Sequence, residues 1–305
     1  MSGEILIVGS LNMDMVMNMD RMPVTGETVL GNDFTHIPGG KGANQACAAG
    51  KLGGRAKMLG CVGKDESGSA LIQNLKESGV DVSGIRISDR FTGTASIYVN
   101  GIGDNSIVVI PGANYACDSH YLQEMDGAFQ ESTYVLLQME IPEEAVYYAV
   151  RRAKELGKTV ILNPAPAPDL IPDEILSMVD YLTPNETELL KLSGRAGEDQ
   201  ATIEAGAHEM VKRGVKNVIV TLGKQGCMLL SGDTKECFPA RNVESVDTTA
   251  AGDCFNGAFA VGLSEGLSAG DAIRFANLAS SIAVTRKGAQ NSLPTREEVD
   301  GIQSV

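Results

Sequence analysis

Short apolar runs alternating with longer amphipathic stretches are the tightest constraint on this chain. EILIVGS (Glu4–Ser10), AKMLGCVG, YVLLQ, TVILN, YLTPN and NVIVTLG each read as a buried strand closed by a turn. Strands covered on both faces look like apolar runs rather than alternating ones. Helical patterns follow or alternate with them: the small-residue stretch GGKGANQACAAGKLGG (Gly39–Gly54), SGSALIQNLKESG stopped by Gly79, EEAVYYAVRRAKELG and ATIEAGAHEMVKRG. Such alternation predicts an α/β fold, a doubly wound, mostly parallel sheet flanked by helices. Met15–Phe34 and Thr92–Ile110 break the pattern: both are extended and turn-containing, with no helix between. They read as antiparallel hairpins or a small sheet, inserted at about 12–36 and 91–111 as a lid. The carboxyl ends of the strands, where α/β folds bind ligands, would lie beneath it. Residues 1–305 are therefore read as one domain carrying this lid.

The bulk properties narrow the function classes. A hydrophobic content of 43% over 305 residues supports a sizeable core. The formal net charge of -14 argues against nucleic acid or an anionic membrane surface as the main partner. A phosphorylated ligand stays open, because backbone dipoles bind phosphate without many lysines. None of the six cysteines forms a C-x-x-C pair, which suits buried free thiols in a reducing compartment. MSGEILIVGS enters a strand without a basic n-region, so no signal peptide is expected. No apolar run approaches the ~20 residues of a membrane span. The expectation is a soluble cytoplasmic protein.

Several chemistries lack their motifs. There is no G-x-x-x-x-G-K-[ST], no H-E-x-x-H and no G-x-S-x-G, and the three histidines are scattered. Four motifs remain. In GSLNMD, Asn12 and Asp14 share one face of an extended chain, a pair suited to vicinal hydroxyls or to a plain polar turn. GGKGANQA brings Lys41 and Asn44 to a glycine-rich helix entry, which serves a ligand or merely a tight turn. In TPNETE, Asn185 and Glu188 fit either a helix cap or an oxygen-rich site for hydrated Mg²⁺. VTLGKQGCMLL reads as strand, glycine turn and strand, with room for a nucleotide across the turn. Most pointed is DTTAAGDCFNGAF. Free N–H groups at Ala250, Ala251 and Gly252 would stabilise a moving phosphoryl, with Asp253 beside it to orient a hydroxyl and take its proton. An acidic helix start alone explains the carboxylate but not the small residues before it.

GSLNMD, GGKGANQA, LNPAPAP, TPNETE, VTLGKQG, DTTAAGDCFNGAF and AVTRKGAQNSLP, in this order from about Ile5 to Pro294, resemble the ribokinases, within the ribokinase-like carbohydrate kinases. The resemblance implies ATP-dependent phosphorylation of D-ribose at O5. It implies sugar contacts from Asn12, Asp14, Gly40, Lys41, Asn44 and Glu140, and Asp253 as the base. The anion hole would be Ala250, Ala251 and Gly252. Asn185, the turn Thr221–Gly226 (Thr221, Gly223, Lys224, Gly226) and Asn277 would hold ATP, and Glu188 would organise Mg²⁺ through water. A monovalent cation, usually K⁺, would sit among Asp247, Thr249, Ala283, Arg286, Gly288 and Ser292, mainly on main-chain oxygens. The lid would form a homodimer contact. Many members of the wider family read Gly-Ala-Gly-Asp where this chain has Ala250-Ala251-Gly252-Asp253, so a positive φ at Ala250 would strain the hole.

Two rival readings follow from the same residues. One is a related kinase acting on deoxyribose, a ketohexose or a nucleoside. Asn12 with Asp14 argues for ribose, because an unpaired polar group facing deoxyribose would be costly. The other is a catalytically silent sugar sensor on the same fold. The presence of Asp253 argues against it.

Overall fold

The computed structural model describes residues 3–197 and 199–303. Its strands are β1 (Ile5–Val8), β2 (Asn12–Met19), β3 (Gly31–Gly39), β4 (Ala56–Gly63), β5 (Asp81–Ser88), β6 (Gly93–Val99) and β7 (Asn105–Ile110) in the first half. The second half adds β8 (Tyr134–Leu137), β9 (Thr159–Leu162), β10 (Tyr181–Leu182), β11 (Asn217–Thr221), β12 (Cys227–Ser231) and β13 (Thr234–Phe238). Nine strands form one sheet in the order β13-β12-β11-β10-β9-β8-β1-β4-β5. Pairing is parallel from β5 across to β11, and the β12–β13 edge is antiparallel. This is the doubly wound sheet expected from the apolar runs. YLTPN contributes only the two-residue strand β10.

β1 lies between β4 and β8, so the chain leaves it in both directions across the sheet. A crevice opens outside the carboxyl end of a strand at such a switch point. Alternation along β1 divides the core. Ile5 and Ile7 join the layer that holds the Lys41–Lys51 and Ala251–Ser264 helices. Leu6 and Val8 join the layer under the Glu143–Glu155 helix. Period-two side-chain direction is the cause.

The second sheet has the order β3-β2-β6-β7. β2 pairs β3 and β6 pairs β7 antiparallel, as expected, but the inner strands β2 and β6 pair in parallel. The sheet is thus mixed rather than a set of antiparallel hairpins. β4, the Glu66–Glu77 helix and β5 intervene between the two hairpins, and a crossover of that length permits parallel pairing. Met13 and Met19 of the methionine-rich β2 are buried, as fillers suited to an irregular base.

The two helices that carry the candidate site touch through small residues. A methyl group on Gly257 would fall 2.6 Å from the Gln45 carbonyl oxygen and 2.7 Å from the Ala48 Cβ. The alanine-rich composition of the Lys41–Lys51 helix permits this approach. Gly257→Val is expected to lower stability by about 1–3 kcal/mol through overpacking. Urea unfolding checks this, and an unchanged midpoint would show that the helices have room to part.

Candidate active site

The Ala251–Ser264 helix begins above the carboxyl end of the parallel sheet, and Asp253 lies in its first turn. Ala250 caps it with φ 58° and ψ 12°, the left-handed region. No other non-glycine residue among those described has a positive φ. For alanine this costs roughly 1–2 kcal/mol. The surrounding turn holds it there. Asp247 accepts from the Thr249 N–H through Oδ1 and from the Gly288 N–H through Oδ2, both at 2.9 Å. The Ala251 N–H donates to the Thr248 carbonyl at 3.2 Å. Of the three N–H groups expected to be free, Ala251 therefore closes the turn. Those of Ala250 and Gly252 have no acceptor among the described residues.

Asp253 is buried, and both its oxygens are held by amides. Asn44 Nδ2 donates to Oδ2 at 2.9 Å, and Gln45 Nε2 to Oδ1 at 3.0 Å. Gln138 Nε2 donates to Gln45 Oε1 at 2.6 Å, which fixes Gln45 as the donor toward Asp253. Gln45 Nε2 also reaches Asn163 Oδ1 at 3.0 Å. Asn163 donates to the Thr183 carbonyl at 2.9 Å, and Thr183 Oγ1 to Asn256 Oδ1 at 2.6 Å. Asn256 Nδ2 closes the circuit on the Gly252 carbonyl at 2.8 Å. Burial pushes the Asp253 carboxyl up, while the Lys41 cation and the two amides pull it back.

The residues expected on a sugar side converge from three segments. Gly40, with φ 87°, caps the Lys41–Lys51 helix, and a side chain there would strike the Asn12 N–H at 2.7 Å. Glu140 Oε2 accepts from Ser10 Oγ at 2.5 Å and from the Lys41 N–H at 3.0 Å. Asp14 is pushed up to about 7, first by burial, then by the carboxylates of Glu140 and Asp253, with Lys41 opposing. The Lys41 ammonium is held above its usual range, chiefly by Asp253, with Glu140, Glu188 and Asp14 adding to it.

A polar cavity of about 190 Å³ lies beside Asp253. Lys41, Asn185, Glu188, Thr221 and the turn 250–252 line it. Asn185 and Glu188 form a reciprocal capping box at 2.8 and 2.9 Å, so the cap reading holds while both residues also face the cavity. Burial raises the Glu188 carboxyl. Gly223, Lys224, Gly226 and Asn277 lie outside this lining. Gly226, with φ 95°, packs directly on the Phe238 carbonyl, which requires glycine for the hairpin itself. Asn277 donates to the same carbonyl at 3.2 Å.

The cation-loop residues are only partly gathered. Asp247 ties Thr249 to Gly288, as described. The Ala283 carbonyl accepts from the Arg286 N–H at 3.1 Å, while the Arg286 side chain pairs outward with Glu298 at 2.6 Å. Ser292 Oγ is turned to the Ala289 carbonyl at 2.8 Å.

Gln45, Gln138, Asn163, Thr183 and Asn256 were not singled out in the sequence. Asn163 and Thr183 follow strands β9 and β10 at their carboxyl ends, a position that itself marks a ligand site. Gln45 is a long polar side chain within a helix of Ala, Gly and Cys, the other readable signal.

The raised Asp14 carboxyl links folding to pH. Its unfolded value is near 3.8 and its folded value about 7. The folded state therefore holds the extra proton between these values. The associated stability is complete below about pH 4 and is lost as pH rises through 7. Urea unfolding of the ligand-free protein at about pH 5 and about pH 8 should show a smaller loss for Asp14→Asn than for the unmodified chain. Equal losses would assign the dependence to other groups.

Residues 2–296 match the profile of the pfkB family carbohydrate kinases. The chain is 42% identical over 302 residues to a ribokinase of Bacillus subtilis, covering 99% of each. It is 35% identical over 303 residues to a deoxyribokinase of Salmonella typhi, again covering 99% of each. The solved structure of Arabidopsis thaliana ribokinase complexed with ribose and ATP superposes with a TM-score of 0.94, at 35% identity and full coverage of both chains. A carboxylate held by two amides beside a helix-start cavity is thus found on a shared fold and in a shared sequence, and the chain belongs to the pfkB family of carbohydrate kinases.

Proposed function

We propose that this protein transfers the γ-phosphoryl of ATP to O5 of D-ribose, giving D-ribose 5-phosphate and ADP. The observation that carries the reading is Asp253, buried, amide-held and next to the free N–H groups of Ala250 and Gly252. Likeness to ribokinases over the full chain supports the acceptor. Asn12, Asp14, Gly40, Lys41, Asn44 and Glu140 would form the sugar side. Asn185, the turn Thr221–Gly226 and Asn277 would form the nucleotide side.

In this reading Asp253 accepts the hydrogen of the ribose 5-hydroxyl. The O–H bond breaks late, as the new O–P bond forms and the bond to the β-phosphate oxygen breaks. The Asn44 and Gln45 amides favour the ionised form against the burial that opposes it, and they aim the carboxylate. The free N–H groups stabilise charge on the moving phosphoryl without reorganising. Lys41 offsets the carboxylates that surround it.

No cluster of metal-ligating side chains occurs among the described residues. Glu188 commits one oxygen to the Asn185 N–H and faces the cavity. That donor set fits Mg²⁺ carried on phosphates through water, not an all-protein cage. When bound, Mg²⁺ would neutralise phosphate charge. The reading includes K⁺ beneath the 247–249 and 283–292 segments, supported by the Asp247 bridge between them. It also includes a reducing, cytoplasmic setting, which free, mostly buried thiols suit.

The lid is proposed as the contact of a homodimer. Ile107, Val108, Val109 and Ile110 of β7 are all exposed, on both faces of an edge strand. Such a strand is a pairing template. Light scattering should find a dimer that Ile107→Lys with Val109→Lys shifts toward monomer, and a monomeric unmodified chain would overturn the contact.

ADP release with Mg²⁺-ATP tests the chemistry, using ribose, 2-deoxyribose, fructose and adenosine in K⁺ or Na⁺. Ribose is expected as the preferred acceptor, with turnover higher in K⁺. Asp253→Asn should lower kcat about 100- to 10,000-fold. Turnover on another acceptor alone would refute the ribose assignment, and binding of ribose without turnover would favour a sensor.

A further inference from the structure

Asn114 follows β7, in the short 3-10 turn Gly112–Ala116, far in sequence from the sugar-side residues. It is buried at 1% exposure. Its Oδ1 accepts from the Leu11 N–H at 2.8 Å, and its Nδ2 donates to Asn12 Oδ1 at 2.7 Å. The polarity of this chain is fixed by its first member. A backbone N–H can only donate, so the Asn114 atom facing it is the carbonyl oxygen. Its amide nitrogen must then face Asn12, and the Asn12 atom it meets must be Oδ1.

The consequence falls on Asn12 Nδ2. That group has no hydrogen-bond partner among the described residues, yet it is not sealed from solvent. It stands at the start of β2, one pleat from Asp14 and opposite both Gly39 of β3 and Gly93 of β6. Both glycines are required sterically. A side chain on Gly93 would collide with Asn12 Oδ1 and Asn114 Nδ2, and one on Gly39 with the Asp14 carboxylate. The amide pair is therefore built over Gly93.

We infer that Asn114 is a specificity-determining positioning residue, locking the Asn12 amide so that it presents an N–H donor beside the Asp14 acceptor and thereby selects an acceptor sugar bearing a ring hydroxyl at that point. The inference rests on the ribose-kinase reading and adds the direction of the hydrogen bond. An unlocked asparagine would offer oxygen or nitrogen indifferently. A locked one leaves a desolvated N–H unpaired when the hydroxyl is missing, which penalises deoxy sugars. Resemblance to both a ribokinase and a deoxyribokinase makes this choice the one the fold must settle.

Asn114→Asp keeps the acceptor for Leu11 but removes the donor, so the Asn12 amide turns about. Asn114→Ala releases the amide without adding charge. Steady-state kinetics on ribose, 2-deoxyribose and 3-deoxyribose read the outcome. Both variants should lose about 10- to 100-fold in kcat/KM for ribose, mostly through KM. At least one deoxy sugar should fall far less, and KM for ATP should hold. The ribose-to-deoxyribose ratio would then collapse. Equal losses on all three sugars would overturn the inference and leave Asn114 as a brace for Leu11. If neither variant folds, Asn12→Leu supplies the test: an unchanged ribose-to-deoxyribose ratio would refute a donor at this position. An unmodified chain inactive on ribose would instead refute the underlying reading.

Discussion

Burying a carboxylate is the constraint on which the rest of this structure depends. Asp253 is cut off from water, and low water access favours its protonated form. The chain answers with the nearby Lys41 cation and with neutral amides in direct contact. Asn44 and Gln45 bind its two oxygens, and Gln138 and Asn163 hold Gln45 in turn. A network of this kind is stable only when nearly every member is satisfied. Among the described residues, Gln138 Oε1 is the one buried side-chain atom left without a partner. The requirement also explains the small residues nearby, because amides on one helix reach a carboxylate on another only if the helices nearly touch.

The strain at Ala250 belongs to the same design. A left-handed alanine persists where neighbouring bonds over-determine the turn. Asp247 supplies these by accepting from both Thr249 and Gly288. Its own carboxyl is held below the usual range, mainly through those N–H donors against the cost of burial. The turn that borders the cavity is thus braced by a residue outside the cavity lining.

Much of the architecture was legible in the sequence. The apolar runs located the main strands, because strands buried on both faces cannot hide among polar residues. The lid segments were visible as breaks in the alternation. Their parallel union was not, since register between distant hairpins leaves no local mark. DTTAAGDC drew attention to Asp253 because an acidic helix start alone does not call for the small residues before it. TPNETE disclosed less, since a capping box and a cavity wall call for the same two residues, and Asn185 and Glu188 serve as both. Gln45, Gln138, Asn163, Thr183 and Asn256 escaped because each is a common residue whose meaning arises only from contacts across long stretches of chain. Asn114 is a further case, meeting Asn12 from 102 positions away.

The residues proposed for the sugar side come mainly from the first third of the chain, and Asp253 with its helix start from the last fifth. Asn44 and Gln45 are where the two meet. Changes in the early segments can therefore alter one side of the site without touching the later turn. The two sides of the site are thus separable along the chain, joined where one helix hands its amides to the other.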